Sequence, residues 1–324
     1  MRIEYVIKRL FYCFLAFFVG ISITFVILHL MPGDYISHLL INIESTISPE
    51  ASEAFKHKFG LDKSLTEQYF IYIDNLLQGD WGYSFEYGVP ILNIVVEKLR
   101  WTLILLIPAT LLSLLIGVFI GAYFGWKSGS KLDLSVLNVM IFIRAIPSYW
   151  WALMFVLIFG FYLGLFPLGG YMGIGVLESG TDYLDILHHS LLPMITLTLC
   201  SIPGNYYLMR NSMLLTVGED YIITARGKGL SEKDILFKHT VKNAMLPMVT
   251  MITLELVFMI SGSVFIETIF SWPGMGMLMI DAMNARDLPL LQGIFLMDTL
   301  LIIIANFTAD MLYSCIDPRV KVGE

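Results

Sequence analysis

Three charged side chains stand deep inside long apolar stretches of the sequence: Arg144, Glu255 and Asp298. A charge at the centre of a membrane helix costs about 2.5 to 3.5 kcal/mol on insertion scales, so each is expected to face a partner or a watery cavity. At 1.5 Å per residue, Arg144 lies about 18 Å and Glu255 about 15 Å from the inner ends of their stretches, which places them at one level. Two interpretations stay open. Arg144 forms an ion pair with Glu255 or Asp298 that only ties helices together, or the three charges line a route that a zwitterionic solute meets.

Motifs for hydrolytic chemistry are absent from the sequence. The only Gly-Lys pair, Gly227-Lys228, is followed by Gly229 and lacks the upstream glycine of a phosphate-binding G-x-x-x-x-G-K-[ST] loop. Neither H-E-x-x-H nor a nucleophile elbow occurs. His188 and His189 are adjacent, so on a helix they point to different faces, and they are interpreted as interface histidines rather than metal ligands. An intramembrane enzyme is therefore disfavoured, and no metal or cofactor site is expected on this chain.

The composition is that of an integral membrane protein. Hydrophobic residues make up 57% of the 324 residues, charged residues 15%, and the mean hydropathy is +0.74. A membrane-spanning helix needs about 20 mainly apolar residues, and six stretches meet that length. The sequence thus predicts an all-α, polytopic protein with six transmembrane helices. They lie at about Leu10 to Met31, Trp101 to Trp126, Leu134 to Phe159, Leu191 to Leu215, Met245 to Phe265 and Leu290 to Tyr313.

The distribution of basic residues predicts that both termini are cytoplasmic, because Lys and Arg collect on the inner side of a membrane. Under this orientation the outer segments are rich in carboxylates and account for most of the net charge of -7, which gives no support to nucleic-acid binding. The inner segments hold thirteen of the twenty basic residues: Arg2, Lys8, Arg9, Lys127, Lys131, Arg210, Arg226, Lys228, Lys233, Lys238, Lys242, Arg319 and Lys321.

The chain divides into three parts. Residues 1–31 form an N-terminal segment with the first transmembrane helix, which is interpreted as retained because no small-residue cleavage site follows it. Residues 32–99 form an extracytoplasmic cap segment interrupted by Gly and Pro turns. Residues 100–324 form a five-helix core that includes a cytoplasmic loop, 216–244.

The cytoplasmic loop carries signals for two short helices. Asp220 to Arg226 can form a helix that ends at Gly227 and Gly229, residues able to take a positive φ. Ser231, with Asp234 three residues on, is typical of the start of a second helix, which is predicted to run through Asn243. The result is two helices at a sharp angle, suited to a soluble partner. The alternative is a solvated loop with an interfacial helix.

This loop resembles the coupling-loop signature of ABC importer permeases, in the form typical of dipeptide, oligopeptide and nickel permeases. The residues that carry the resemblance are Asp220, Tyr221, Thr224, Ala225, Arg226, Gly227, Lys228, Gly229 and Leu230. Further blocks follow the family pattern in order along nearly the whole chain: His29 to Asp34, Gly60 to Lys63, Gln68-Tyr69, Gly79 to Ser84, Pro147 to Trp150, Glu267-Thr268, Phe270 to Gly276, Asn306, Asp310 and Asp317 to Arg319. Their order and spacing make a chance match very improbable.

The resemblance implies a permease subunit in a bacterial or archaeal cell membrane. Its partners would be a second, homologous permease, two cytoplasmic ATPases that hold ATP and Mg, an extracellular or periplasmic binding protein and membrane lipid, but no nucleic acid. The coupling residues would dock on an ATPase. Glu267, Trp272, Pro273 and Gly274 would belong to an outer loop that serves as a gate. Peptides are the expected cargo, with nickel or a metal chelate as the alternative, and a secondary carrier without ATPases as a further rival.

The sequence departs from the family pattern at several positions. Gly227 stands where alanine is common and is expected to loosen the end of the coupling helix. Glu255 replaces an uncharged polar residue, and Val257 and Phe258 replace small residues. These differences affect the details expected of the substrate path, but not the assignment to the class of importer permeases.

Overall fold

The computed structural model describes residues 3–30, 62–173, 182–248, 255 and 263–316, and regular structure within these ranges is helical. Half of the predicted cap segment, most of the predicted fifth span with Val257 and Phe258, and the Asp317 to Arg319 block lie outside the described residues. The elements are α1 (Ile3–Leu30), α2 (Leu65–Leu77), α3 (Ile91–Trp126), α4 (Lys131–Ala145), α5 (Ser148–Phe155, continued by the π-helical Val156–Tyr162), α6 (Tyr183–Val217), α7 (Asp220–Gly227), α8 (Glu232–Asp234, π-helical Ile235–Val241 and Lys242–Ala244), α9 (263–269), α10 (Met275–Ala285) and α11 (Leu288–Ile316).

Helices α3 and α6 form the central pair, and a stripe of glycines brings their backbones together. Gly117, Gly121 and Gly125 recur every fourth residue and so lie on one face of α3. A Cβ at Gly117 would lie 2.5 Å from Asn205 Cβ, and one at Gly125 would lie 2.5 Å from Met213 Cβ. Small residues at this spacing allow close helix packing in membranes. The two helices therefore have no room to slide past one another.

The third predicted span is not one straight helix. It is built as α4 and α5, which meet at an angle of 92°. Pro147 begins α5, and Ile146 before it is extended (φ -95°, ψ 129°), as expected for a residue that precedes proline. A proline inside a span favours a kink, and Pro147 lies inside the predicted third span, but the observed break is much sharper than a kink. Counting this pair as one span, the described residues contain up to five candidate spans, so six are not confirmed.

A buried ion pair ties α4 to the C-terminal half of α6. Arg210 donates from Nε to Asp133 Oδ1 at 2.8 Å and from Nη2 to Asp133 Oδ2 at 2.7 Å. The Asp133 side chain is fully buried and also accepts a hydrogen bond from Gly129 N at 2.9 Å. Two parallel bonds in this fork geometry fix both distance and orientation.

The described part of the outer segment packs on the ends of the long helices. Helix α2 begins with a reciprocal cap between Ser64 and Glu67. Its Tyr72 ring stacks on Phe25 of α1, and its Tyr69 ring meets Phe25 edge-on. Further on, Ser84 Oγ donates to the buried Asp287 Oδ2 at 2.6 Å, ahead of α11. These contacts place the cap over one end of the bundle.

Candidate functional site

The predicted coupling loop folds as two short helices, as the sequence indicated. Helix α7 runs over Asp220–Gly227, and Gly229 after it has φ +77°, in the left-handed region that favours glycine. Ser231 starts α8, and its side chain accepts from Asp234 N at 3.1 Å. The middle of α8 is π-helical over Ile235–Val241, which the sequence did not predict.

Helix α7 has one buried and one exposed face. Ile222 and Ala225 are buried and pack against Ile235 of α8. Ala225 thus holds the two helices together and does not reach the surface. Ile223 is 61% exposed and lies beside exposed Thr224. Ile223 is absent from the predicted coupling residues, although the helical period places it opposite Ile222 and Ala225.

Polar contacts fix the angle between the two helices. Asn243 Nδ2 donates to Tyr221 Oη at 2.7 Å, which links the end of α8 to the start of α7. Arg226 donates to both carboxylate oxygens of Glu232 at 3.0 and 3.3 Å, which closes the other end. Lys228, Gly229 and Leu230 form the exposed turn between them. The result is an exposed surface on α7 and on the turn that follows it, held by contacts at both ends.

The predicted outer loop is fastened to α3 at Thr102, whose hydroxyl accepts a hydrogen bond from Met275 N at 2.7 Å, beside a buried carboxylate. Glu267 is fully buried and accepts hydrogen bonds from Gly276 N at 2.7 Å and Ser263 Oγ at 3.2 Å. A Cβ on Gly274 would lie 2.4 Å from Glu267 Oε2 and 2.5 Å from Thr102 Oγ1 of α3, so only glycine fits there.

The tryptophan of this loop adds a second attachment. Trp272 is fully buried, and its Nε1 donates to Trp101 O at 2.9 Å. Pro273 beside it is partly exposed. Together with the Glu267 contacts, this makes the loop a closely packed turn. Its role as a gate stays a prediction.

The three predicted intramembrane charges have separate surroundings and form no ion pair with one another among the described residues. Arg144 is in the last turn of α4, at the break with α5, and its guanidinium stands 5.8 Å from the ring centre of Tyr207. Glu255 Oε1 instead accepts from Asn205 Nδ2 at 2.9 Å. Asp298 Oδ1 is buried without a hydrogen-bond partner among the described residues. Arg144 forms no ion pair with either carboxylate in this part of the chain. The structure therefore does not support an ion pair between Arg144 and Glu255 or Asp298. That the three residues line a transport route stays a prediction.

Comparison with known proteins gives concordant matches. The model for the binding-protein-dependent transport system inner membrane component matches residues 90–322, and the model for the N-terminal part of such components matches residues 2–106. The oligopeptide transport system permease protein AppB of Bacillus subtilis is 34% identical over 98% of this chain and 99% of its own length. The dipeptide transport system permease protein DppB of Escherichia coli K12 is 33% identical over 94% of this chain and 95% of its own.

Among solved structures, an inward-facing conformation of the MetNI methionine ABC transporter matches with a TM-score of 0.56 at 15% identity. The match covers 70% of this chain and 97% of that one. At this level of identity the likeness concerns the fold alone.

Proposed function

The chain belongs to the family of binding-protein-dependent transport system inner membrane components, and we propose that it is a permease subunit of an ATP-driven importer of di- or oligopeptides. The observation that carries the cargo class is the similarity, over nearly the whole chain, to peptide permeases from two distantly related bacteria. Nickel or a metal chelate is the alternative cargo, because the motifs quoted above are shared with nickel permeases.

The partners follow from this proposal. We propose that a second homologous permease completes the translocation pathway, and that two cytoplasmic ATPases hold ATP and Mg and hydrolyse the nucleotide. An extracellular or periplasmic binding protein would deliver the cargo to this chain in a bacterial or archaeal membrane. Support comes from the exposed face around Ile223 and Thr224, which has the apolar and polar mixture of a protein-binding surface.

We propose six spans with both termini in the cytoplasm. The Lys and Arg distribution supports this, with α2 outside and α7 and α8 inside. In a cysteine-free background, Gln78→Cys is expected to react with an impermeant thiol reagent in intact cells, and Lys233→Cys only after permeabilisation. Both side chains are exposed, so reactivity reports the side of the membrane. Labelling of position 233 in intact cells would reverse the orientation.

Arg144, Glu255 and Asp298 are proposed to face the cargo route. Because Arg144 and Glu255 form no pair, their substitutions should act independently. In an uptake assay, Glu255→Gln is expected not to rescue the loss caused by Arg144→Gln. Rescue would restore the interpretation of a structural ion pair.

The function is tested by purifying the chain with the subunits that accompany it and reconstituting them in vesicles. We expect uptake of a labelled dipeptide that requires ATP and the cognate binding protein. Nickel uptake without peptide uptake would select the alternative cargo. Uptake by this chain without ATPase subunits would instead indicate a secondary carrier.

A further inference from the structure

Trp126, the last residue of α3, stands between α7 and a packed cluster to which α3, α6 and the end of α8 contribute. On one side it packs against a cluster from α7 and α8 whose buried members are Ile222, Ala225 and Ile235. On the other side it packs against a second cluster, whose buried members are Met209, Met213, Ala244 and Met248. Among the described residues, Trp126 is the one side chain common to both clusters.

A charged clasp holds α7 on the face of this indole. The guanidinium of Arg226 lies 5.6 Å from the Trp126 ring centre, a cation–π distance. The same guanidinium is oriented by its two bonds to Glu232. The end of α7, the start of α8 and the end of α3 therefore form one contact unit.

The position before Trp126 fixes this unit to α6. A Cβ on Gly125 would lie 2.5 Å from Met213 Cβ and 3.1 Å from Arg210 O, both in α6. Helix α3 therefore cannot move alone at this level. Because close-packed interiors transmit displacement rather than absorb it, a shift of α7 has to carry the ends of α3 and α6 with it.

We propose that Trp126 is the positioning residue through which α7 drives the α3–α6 pair, whereas α8 contacts α6 directly. The inference rests on the proposed function, since it takes the coupling helices to be the input from the ATPases. It differs from the coupling surface itself, because Trp126 contacts the inner face of α7 and not the surface offered to a partner. Its loss should separate ATP hydrolysis from transport without removing the docking surface.

The test measures ATP hydrolysed per peptide imported by the reconstituted complex. Energetic coupling between sites commonly amounts to about 5- to 150-fold, so Trp126→Ala is expected to raise this ratio about tenfold. The rise should come from slower uptake, while ATP hydrolysis stays within about twofold of wild type. Trp126→Phe, which keeps an aromatic ring in both clusters, should give a smaller rise.

Two further variants make the result interpretable. Glu232→Gln removes the carboxylate that orients Arg226 over the indole, at an exposed residue outside the predicted coupling set, so it should raise the ratio even if Trp126→Ala does not assemble. Phe119→Ala, at a 75% exposed aromatic residue on the same helix, should leave the ratio unchanged. Wild-type ratios in Glu232→Gln and Trp126→Phe, and in Trp126→Ala where it assembles, would overturn the inference. The absence of any ATP-dependent peptide uptake by the wild-type complex would reject the proposed function instead.

Discussion

Gly229→Val is expected to abolish peptide transport while the protein still reaches the membrane at near-normal levels. Gly229 has φ +77°, and a β-branched residue is strongly disfavoured in that region. A Cβ at this position would meet no atom within 4 Å, so the cost comes from backbone conformation alone and not from a clash. The strain is relieved by changing the turn, and a changed turn moves α7 relative to α8. Uptake and binding-protein-stimulated ATP hydrolysis should therefore be lost together.

Gly227→Val is the matched control for this experiment. Gly227 lies two residues earlier, at the end of α7, with a helical backbone and equally open space where a Cβ would stand. A valine there can keep the helical conformation, because valine is a slightly better helix former than glycine. We expect this variant to retain transport. Full transport by Gly229→Val, or equal losses in both variants, would show that the left-handed turn does not set the coupling geometry.

The coupling element was predictable because its signals are local. Ser231 and Asp234 are three residues apart, and Gly229 follows the helix that it ends, so each inference needed only neighbouring residues. The π-helical turns of α8 were not predictable in the same way. Their sequence is compatible with an ordinary helix, and nothing local marks the wider winding.

The features that were missed depend on packing between distant segments. Pro147 predicted a kink, but the 92° angle between α4 and α5 follows from what each helix packs against. The glycine stripe on α3 becomes informative only when α6 is placed against it. Arg210 was counted among the inner basic residues that set orientation, and its partner Asp133, 77 residues earlier in the chain, was not identified.

This missed pair gives the largest expected effect on stability. Asp133→Ala removes the carboxylate and leaves the Arg210 guanidinium, only 13% exposed, without its partner. Removing one member of a buried ion pair commonly costs about 3 to 5 kcal/mol, because the remaining charge stays poorly solvated. The purified transporter should therefore unfold at a clearly lower temperature, and less of it should be recovered from the membrane.

Comparison with an exposed ion pair shows whether the stability lost in Asp133→Ala comes from burial of the charges or from charge pairing alone. Lys238 and Asp234 of α8 form an ion pair at the surface, where solvent screens the attraction, so Lys238→Gln should leave the unfolding temperature almost unchanged. The double variant Asp133→Leu with Arg210→Met removes both buried charges and should recover much of the stability lost by Asp133→Ala, as expected for directly coupled side chains. Equal small shifts for Asp133→Ala and Lys238→Gln would mean that water reaches the pair between α4 and α6. In that case the Asp133–Arg210 pair would contribute little to stability, and Arg210 would count only as one of the inner basic residues.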